Sequence, residues 1–296
     1  MRTFGVSLSK LPRRRFASAL WLLIAFWPAL AMAADKPWLT LPATPKLPVA
    51  ERNGYAAVNG IKIWYAAFGN GEPVILLHGG LANSNYWGTI VPELSGQYRI
   101  IVMDSRGHGR SSRNQEPFGY ELMASDVLGL MDVLGIPKAA IVGWSDGAII
   151  GLQIAIKHPE RLSRLFAFAA NSDPSGVKDV DQSPVFKEFT ERAEEEYRKL
   201  SPTSDQFKTF LEQITNMWAT QPHFTAEQLA GIKVPTWIVD ADHDEAIVRD
   251  NTLFMADKIP GAALLIQPAV SHFSLLQDPQ QFSGDVLRFL ERTKSR

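Results

Sequence analysis

Residues 143–147 read Gly-Trp-Ser-Asp-Gly, directly after the short apolar run Ala139 to Val142. A serine hydroxyl attacks a carbonyl only when a nearby base takes its proton and an acid orients that base. Glycines two places on either side of Ser145 allow the strained strand-to-helix turn that would expose the hydroxyl. Such an elbow calls for an acid and then a histidine further along the chain, each just past a strand end. "TWIVDADHDEAI" (236–247) is a strand pattern running into a loop with Asp242, Asp244 and Glu245, and "LLIQPAVSHF" (264–273) places His272 after the next strand. Ser145, Asp244 and His272 are therefore the candidate nucleophile, acid and base. Asp242, and Asp173 after the strand ending near Ala170, are alternative acids. The backbone N–H groups of Asp146 and Gly80, the latter in His78-Gly79-Gly80, are the candidate oxyanion donors. Losing one such donor typically costs about 3 kcal/mol of transition-state stabilisation.

Asp146 raises a difficulty. A carboxylate about 6 Å from a developing oxyanion would raise its energy by nearly 3 kcal/mol at an effective dielectric near 20. Three arrangements avoid this: the side chain joins a polar network, pairs with a protein cation, or faces the pocket and meets a cation on the substrate. Asp146, Trp144 and Trp218 are the candidate substrate contacts. His78 reads as a loop organiser, and Asp104, Arg106 and His108 as turn-stabilising groups. His158, His223 and His243 lack the paired spacing of a metal site, and no cofactor or metal is expected.

The elements that must position these residues alternate. Asn59-Gly60 between two apolar runs predicts a hairpin. Strands are expected at Val74 to Leu77, Tyr98 to Asp104, before Ser145, at Arg164 to Ala170, and in the two late segments. Helical spacing is read at Tyr86 to Leu94, Tyr120 to Gly135, Gly147 to His158 and Pro279 to Arg292. Alternating strands and helices predict an α/β fold with a mainly parallel sheet covered on both faces. Residues 171–232 break the alternation. Ser183-Pro184 reads as a helix start, and Thr203-x-x-Gln206 and Thr225-x-x-Gln228 read as capping boxes. Phe207, Phe210, Leu211, Ile214, Met217 and Trp218 share a helical face that either docks on the sheet domain or in part lines a pocket beneath a small cap. The expected organisation is a core of 34–170 and 233–296 with a helical cap at 171–232.

The chain of 296 residues carries 30 basic and 31 acidic side chains and no cysteine. Arg2, Lys10 and Arg13 to Arg15 precede an apolar stretch from Phe16 to Met32, and Ala31-Met32-Ala33 has the small-x-small pattern of a cleavage site. Residues 1–33 thus read as a secretory signal peptide, with Arg13-Arg14-Arg15-Phe16 fitting a twin-arginine element. Without those five basic residues, 25 basic face 31 acidic ones, a net charge of −6. That balance argues against nucleic acid and anionic lipid as partners. The expected setting is periplasmic or secreted, with no membrane association after cleavage; an uncleaved membrane anchor is the alternative reading of the same segment. The lack of disulfides fits a chain long enough to be stabilised by its core.

From about Tyr55 to Thr293 the chain resembles the α/β-hydrolases, through "LLHGG", "DSRGHGRS", "GWSDGA", "VPTWIVDADHDEAI" and "SHFSLLQDP". The resemblance implies the α/β-hydrolase fold and a serine triad. Family members with an aspartate nucleophile, the dehalogenases and epoxide hydrolases, are disfavoured by Ser145. Ala241 stands where many members have glycine. "GWSDG" is similar to the biphenyl-hydrolase-like, or valacyclovir hydrolase, branch, where the acid after the nucleophile recognises a substrate amino group; this would give Asp146 an ammonium-binding role. The expected partner is a small ester or lactone, cleaved through an acyl-enzyme. C–C hydrolysis of a diketone and a non-catalytic binding protein on the same scaffold are the alternatives. Oligomeric state is left open.

Overall fold

The computed structural model describes residues 36–293, and Arg2 besides. The expected signal peptide otherwise lies outside the described residues. Strands β1 (Arg52–Val58), β2 (Ile61–Phe68), β3 (Glu72–Leu77), β4 (Tyr98–Met103), β5 (Ala139–Trp144), β6 (Leu162–Phe168), β7 (Thr236–Ala241) and β8 (Ala263–Gln267) form one sheet. Their order is β1-β2-β4-β3-β5-β6-β7-β8. Only β2 runs against its neighbours, and the remaining pairs are parallel. The β1–β2 hairpin turns at Asn59 and Gly60, both at positive φ (48° and 73°), the backbone a two-residue type I′ turn needs.

Helices α1 (Ile90–Ser95), α2 (Tyr120–Val133), α3 (Asp146–Lys157), α4 (Pro184–Leu200), α5 (Phe207–Thr220), α6 (Ala226–Ala230), α7 (Arg249–Lys258), α8 (Ser274–Gln277) and α9 (Pro279–Arg292) complete the described elements, with short 3-10 turns between some of them. The alternation of side chains along β6 shows how both sheet faces are covered. Leu165 lies under Gly151 of α3, whereas Phe166 packs on Phe282 and Phe289 of α9 and Phe168 packs on Phe282. Central strands buried on both sides read as unbroken apolar runs: Val74 to Leu77 have no exposed surface at all. The sequence order of β3 and β5 reverses direction across the sheet, so the loops after their carboxyl ends diverge and leave a crevice.

Between β6 and β7 the chain contributes α4, α5 and α6 and no strand. The Ser183 hydroxyl caps α4, accepting from the Phe186 N–H, and Thr225 with Gln228 forms the reciprocal capping box of α6. The expected box at Thr203 is not formed. Gln206 itself occupies the cap position of α5 without a side-chain capping bond, and the Thr203 hydroxyl is instead held by Tyr197 and Ser201. The expected helix at Tyr86 to Leu94 is split into a 3-10 turn, Ser84–Trp87, and α1.

Candidate active site

The site is built where β5 turns into α3. Ser145 sits in the turn at φ 54° and ψ −119°, a conformation L-residues rarely adopt. Its N–H donates to the Phe168 carbonyl on the neighbouring strand (2.9 Å), which holds the turn to the sheet. The flanking glycines are required by contact. A Cβ on Gly147 would run into the Leu77 carbonyl, and one on Gly143 into the backbone of Gly147 and Ala148. Asp146 is the first residue of α3, so its N–H has no intrahelical acceptor. The Gly80 N–H also has no acceptor among the described residues.

His272, past β8, and Asp244, past β7, are brought together: the ring Nδ1 lies 2.9 Å from Asp244 Oδ2. The other carboxylate oxygen accepts from the N–H groups of Ala246 (2.7 Å) and Ile247 (2.8 Å). Burial alone would raise the Asp244 pKa, but the His272 ring and these N–H donors outweigh it and lower it. Burial would likewise lower the His272 pKa, and the carboxylate charges of Asp244, Glu245 and Asp240 reverse this and raise it. Asp242 is turned away from His272 and accepts from the N–H groups of Ala269 and Val270. Asp173 caps a 3-10 turn and bonds His223 at the surface. Of the three acids considered, only Asp244 meets the histidine.

Ser145, Asp146 and His272 line one cavity of about 570 Å³, whose walls include Leu81, Val177, Phe186, Phe189, Leu211 and Ile247. Among the described residues the Ser145 hydroxyl makes no hydrogen bond, and the His272 ring bonds only through Nδ1. The apolar face of α5 divides between the two roles considered: Phe207, Phe210, Ile214 and Met217 are buried, while Leu211 and Trp218 line the cavity.

The Asp146 carboxylate is buried yet belongs to the cavity wall. It accepts from the Tyr120 hydroxyl (2.8 Å) and from the Trp218 indole N–H (3.0 Å to each oxygen). No protein cation bonds it among the described residues. Burial raises its pKa, an effect that the Trp218 and Tyr120 bonds and the His272 charge only moderate. Trp218 and Asp146 also explain Gly80, since a Cβ there would collide with both.

Trp144 corrects one expectation. Its side chain is fully buried and absent from the cavity wall. It packs behind Phe189 and His272, against Tyr86 and Phe273. Trp144 is still within β5, where successive side chains point to opposite sides. The other polar groups of these loops are structural. The His78 ring accepts from the Ser105 N–H (3.0 Å), and Asp104 accepts from Ser84 and Arg110. Arg106 makes a buried two-point bond to Asp126. Burial and the neighbouring His78 push His108 down to about 3, so it stays neutral.

Sequence reasoning missed Tyr120, which reaches Asp146 from the start of α2, and Glu245. The Glu245 carboxylate accepts from the backbone N–H of His272 (3.1 Å) and from the Ser271 hydroxyl (3.3 Å). Neither has a spacing signal, because both act across the fold.

The alpha/beta hydrolase fold family matches residues 72–205. The chain has the fold of the α/β-hydrolases and is similar to members of that superfamily along most of its length. It is similar to serine hydrolase BPHL of Mus musculus, 26% identical over 250 residues that span 79% of this chain and 85% of that protein. It is also similar to the 2-hydroxy-6-oxo-6-(2'-aminophenyl)hexa-2,4-dienoic acid hydrolase of Metapseudomonas resinovorans, at 24% identity across 80% of this chain and 90% of that one. The enol-lactonase of Burkholderia xenovorans LB400 shares the fold with a TM-score of 0.66 and 24% identity, covering 80% of this chain and all of that one. These likenesses are all to hydrolases that share this fold.

Proposed function

We propose that the protein is an exported serine hydrolase that cleaves a carboxylic ester or lactone. In this reading Ser145 Oγ attacks the carbonyl carbon, and the outer ring nitrogen of His272 takes the hydroxyl proton. Asp244 holds the ring and stabilises the imidazolium. The N–H groups of Asp146 and Gly80 donate to the oxyanion. The imidazolium then protonates the departing alcohol. Water, deprotonated by the same histidine, attacks the acyl-enzyme and releases the acid. The observation that carries the reading is His272, bonded to Asp244 at 2.9 Å and lining the same cavity as a serine in a strained, freely presented turn.

The buried Asp146 carboxylate on that wall favours a narrower reading, in which the substrate carries an amine. Its two hydrogen-bond donors are neutral and no cation is bonded to it among the described residues, so an ammonium group would supply a paired one. Export rests on the N-terminal sequence pattern alone. Ser145→Ala should lower kcat on the best ester or lactone of a substrate panel by about a million-fold. Near-native turnover by that variant would refute the nucleophile. Cleavage of a vinylogous diketone in preference to every ester and lactone would replace the reading by C–C hydrolysis, and no turnover on any class would favour a binding protein.

A further inference from the structure

Among the described residues the segment 36–50 ahead of β1 pairs with no strand, yet it is tied to both loops that carry the candidate acid and base. The Trp38 ring stacks on His243, the residue before Asp244, with centroids 4.0 Å apart and planes 9° from parallel. Two residues on, the Thr40 carbonyl accepts from Gln277 Nε2 (2.8 Å). The same Gln277 accepts from the Ser271 N–H through its carbonyl (2.7 Å) and donates to the Ser271 hydroxyl (3.0 Å). Ser271 precedes His272. Leu41 is buried, and the carbonyls of Leu41 and Pro42 accept from Arg192 on α4, the helix that supplies Phe186 and Phe189 to the cavity.

Three consecutive residues of the acid loop therefore have separate duties. His243 is gripped by Trp38. Asp244 bonds the His272 ring. Glu245 bonds the His272 backbone. On the other side, Gln277 ties the histidine loop to Thr40. We propose that residues 38–42 are a positioning strap for the Asp244–His272 pair, with Trp38 in the strap and Gln277, which ties it to the histidine loop, as the positioning residues. The strap touches neither the cavity nor Ser145 and acts through the two loops. Loops at the ends of strands have few fixed partners of their own, and a misplacement of about 1 Å in a proton-transferring group can cost roughly a hundredfold in rate.

The proposal rests on the triad reading, and its test separates the two. A histidine ring N–H bonded to a carboxylate gives a low-field proton resonance, whichever residue is the nucleophile. Ser145→Ala should keep that resonance, and His272→Gln identifies it by its loss. Trp38→Ala should broaden or shift it, and lower kcat about tenfold with KM changed far less. Trp38→Phe, which keeps a stacking ring, should restore both. Gln277→Ala, acting from the other loop, should move the resonance in the same sense. A wild-type resonance and kcat in both Trp38→Ala and Gln277→Ala would overturn the strap. So would an equal deficit in Trp38→Phe and Trp38→Ala. If Ser145→Ala stays active, the triad reading fails, and the resonance still decides the strap.

Discussion

Replacing Asp146 by asparagine tests the site's charge with little change of shape. Oδ1 of Asp146 receives both the Tyr120 hydroxyl (2.8 Å) and the Trp218 indole (3.0 Å), so an asparagine carbonyl can keep both bonds. What is lost is the negative charge, together with the second indole contact at Oδ2 (3.0 Å), which an amide NH2 cannot accept. For a cationic ester with its ammonium about 4 Å from the carboxylate, the attraction is about 4 kcal/mol at an effective dielectric near 20. Part of this is offset by the lost hydration of the ammonium. A net loss of about 2–3 kcal/mol lowers kcat/KM roughly 30- to 150-fold. For a neutral isostere the sign is opposite. Removing a charge about 6 Å from the oxyanion relieves nearly 3 kcal/mol of repulsion, so its kcat/KM should rise by up to about a hundredfold. The assay is a pair of isosteric esters, one with a terminal ammonium and one with a methyl in its place, run on wild type and Asp146→Asn. Burial raises the Asp146 pKa. Wild-type preference for the cation should therefore be full at high pH and fall as acid protonates Asp146, at a higher pH than for an exposed carboxylate. Equal changes for the two esters would refute the reasoning, as would a pH-independent preference in wild type.

The pH dependence of kcat should show an acid limb above the ordinary imidazole value of about 6.5. The base works unprotonated, and after burial, which lowers it, the Asp244 and Glu245 charges raise the His272 pKa. Asp244→Asn should cut kcat by about ten-thousand-fold and move that limb down, because burial remains while the charge is gone; an unmoved limb in a pH–rate series would count against the pair. Gly147→Ala should destabilise the fold by about 3 kcal/mol or more in urea unfolding, since its Cβ would collide with the Leu77 carbonyl and the sheet cannot yield there.

Strands and helices were legible because their periodicities follow from burial. The unbroken apolar run of β3 and the Asn59-Gly60 turn each encode their own geometry locally. Ser145 and its glycines were legible for the same reason, since a strained turn must be written in adjacent residues. What required the fold was mutual placement. Which of Asp242, Asp244 and Asp173 meets His272 depends on how two loops pack, and the loop's register puts Asp242 on the Ala269 and Val270 N–H groups instead. Trp144 was misread because adjacency to the candidate nucleophile does not give a shared direction. The neutral cradle of Asp146 comes from α2 and α5, 26 residues before it and 72 after it, and no local pattern announces such a meeting.

The central claim is that Ser145 is a nucleophile activated by His272. Its most direct test is labelling of the folded protein with a fluorophosphonate, read by intact mass and by mapping of the modified peptide. The expected result is a single adduct on Ser145 in wild type, none in Ser145→Ala, and strongly slowed labelling in His272→Gln. No adduct on the folded wild-type protein, or an adduct that persists in Ser145→Ala at the wild-type rate, would contradict it.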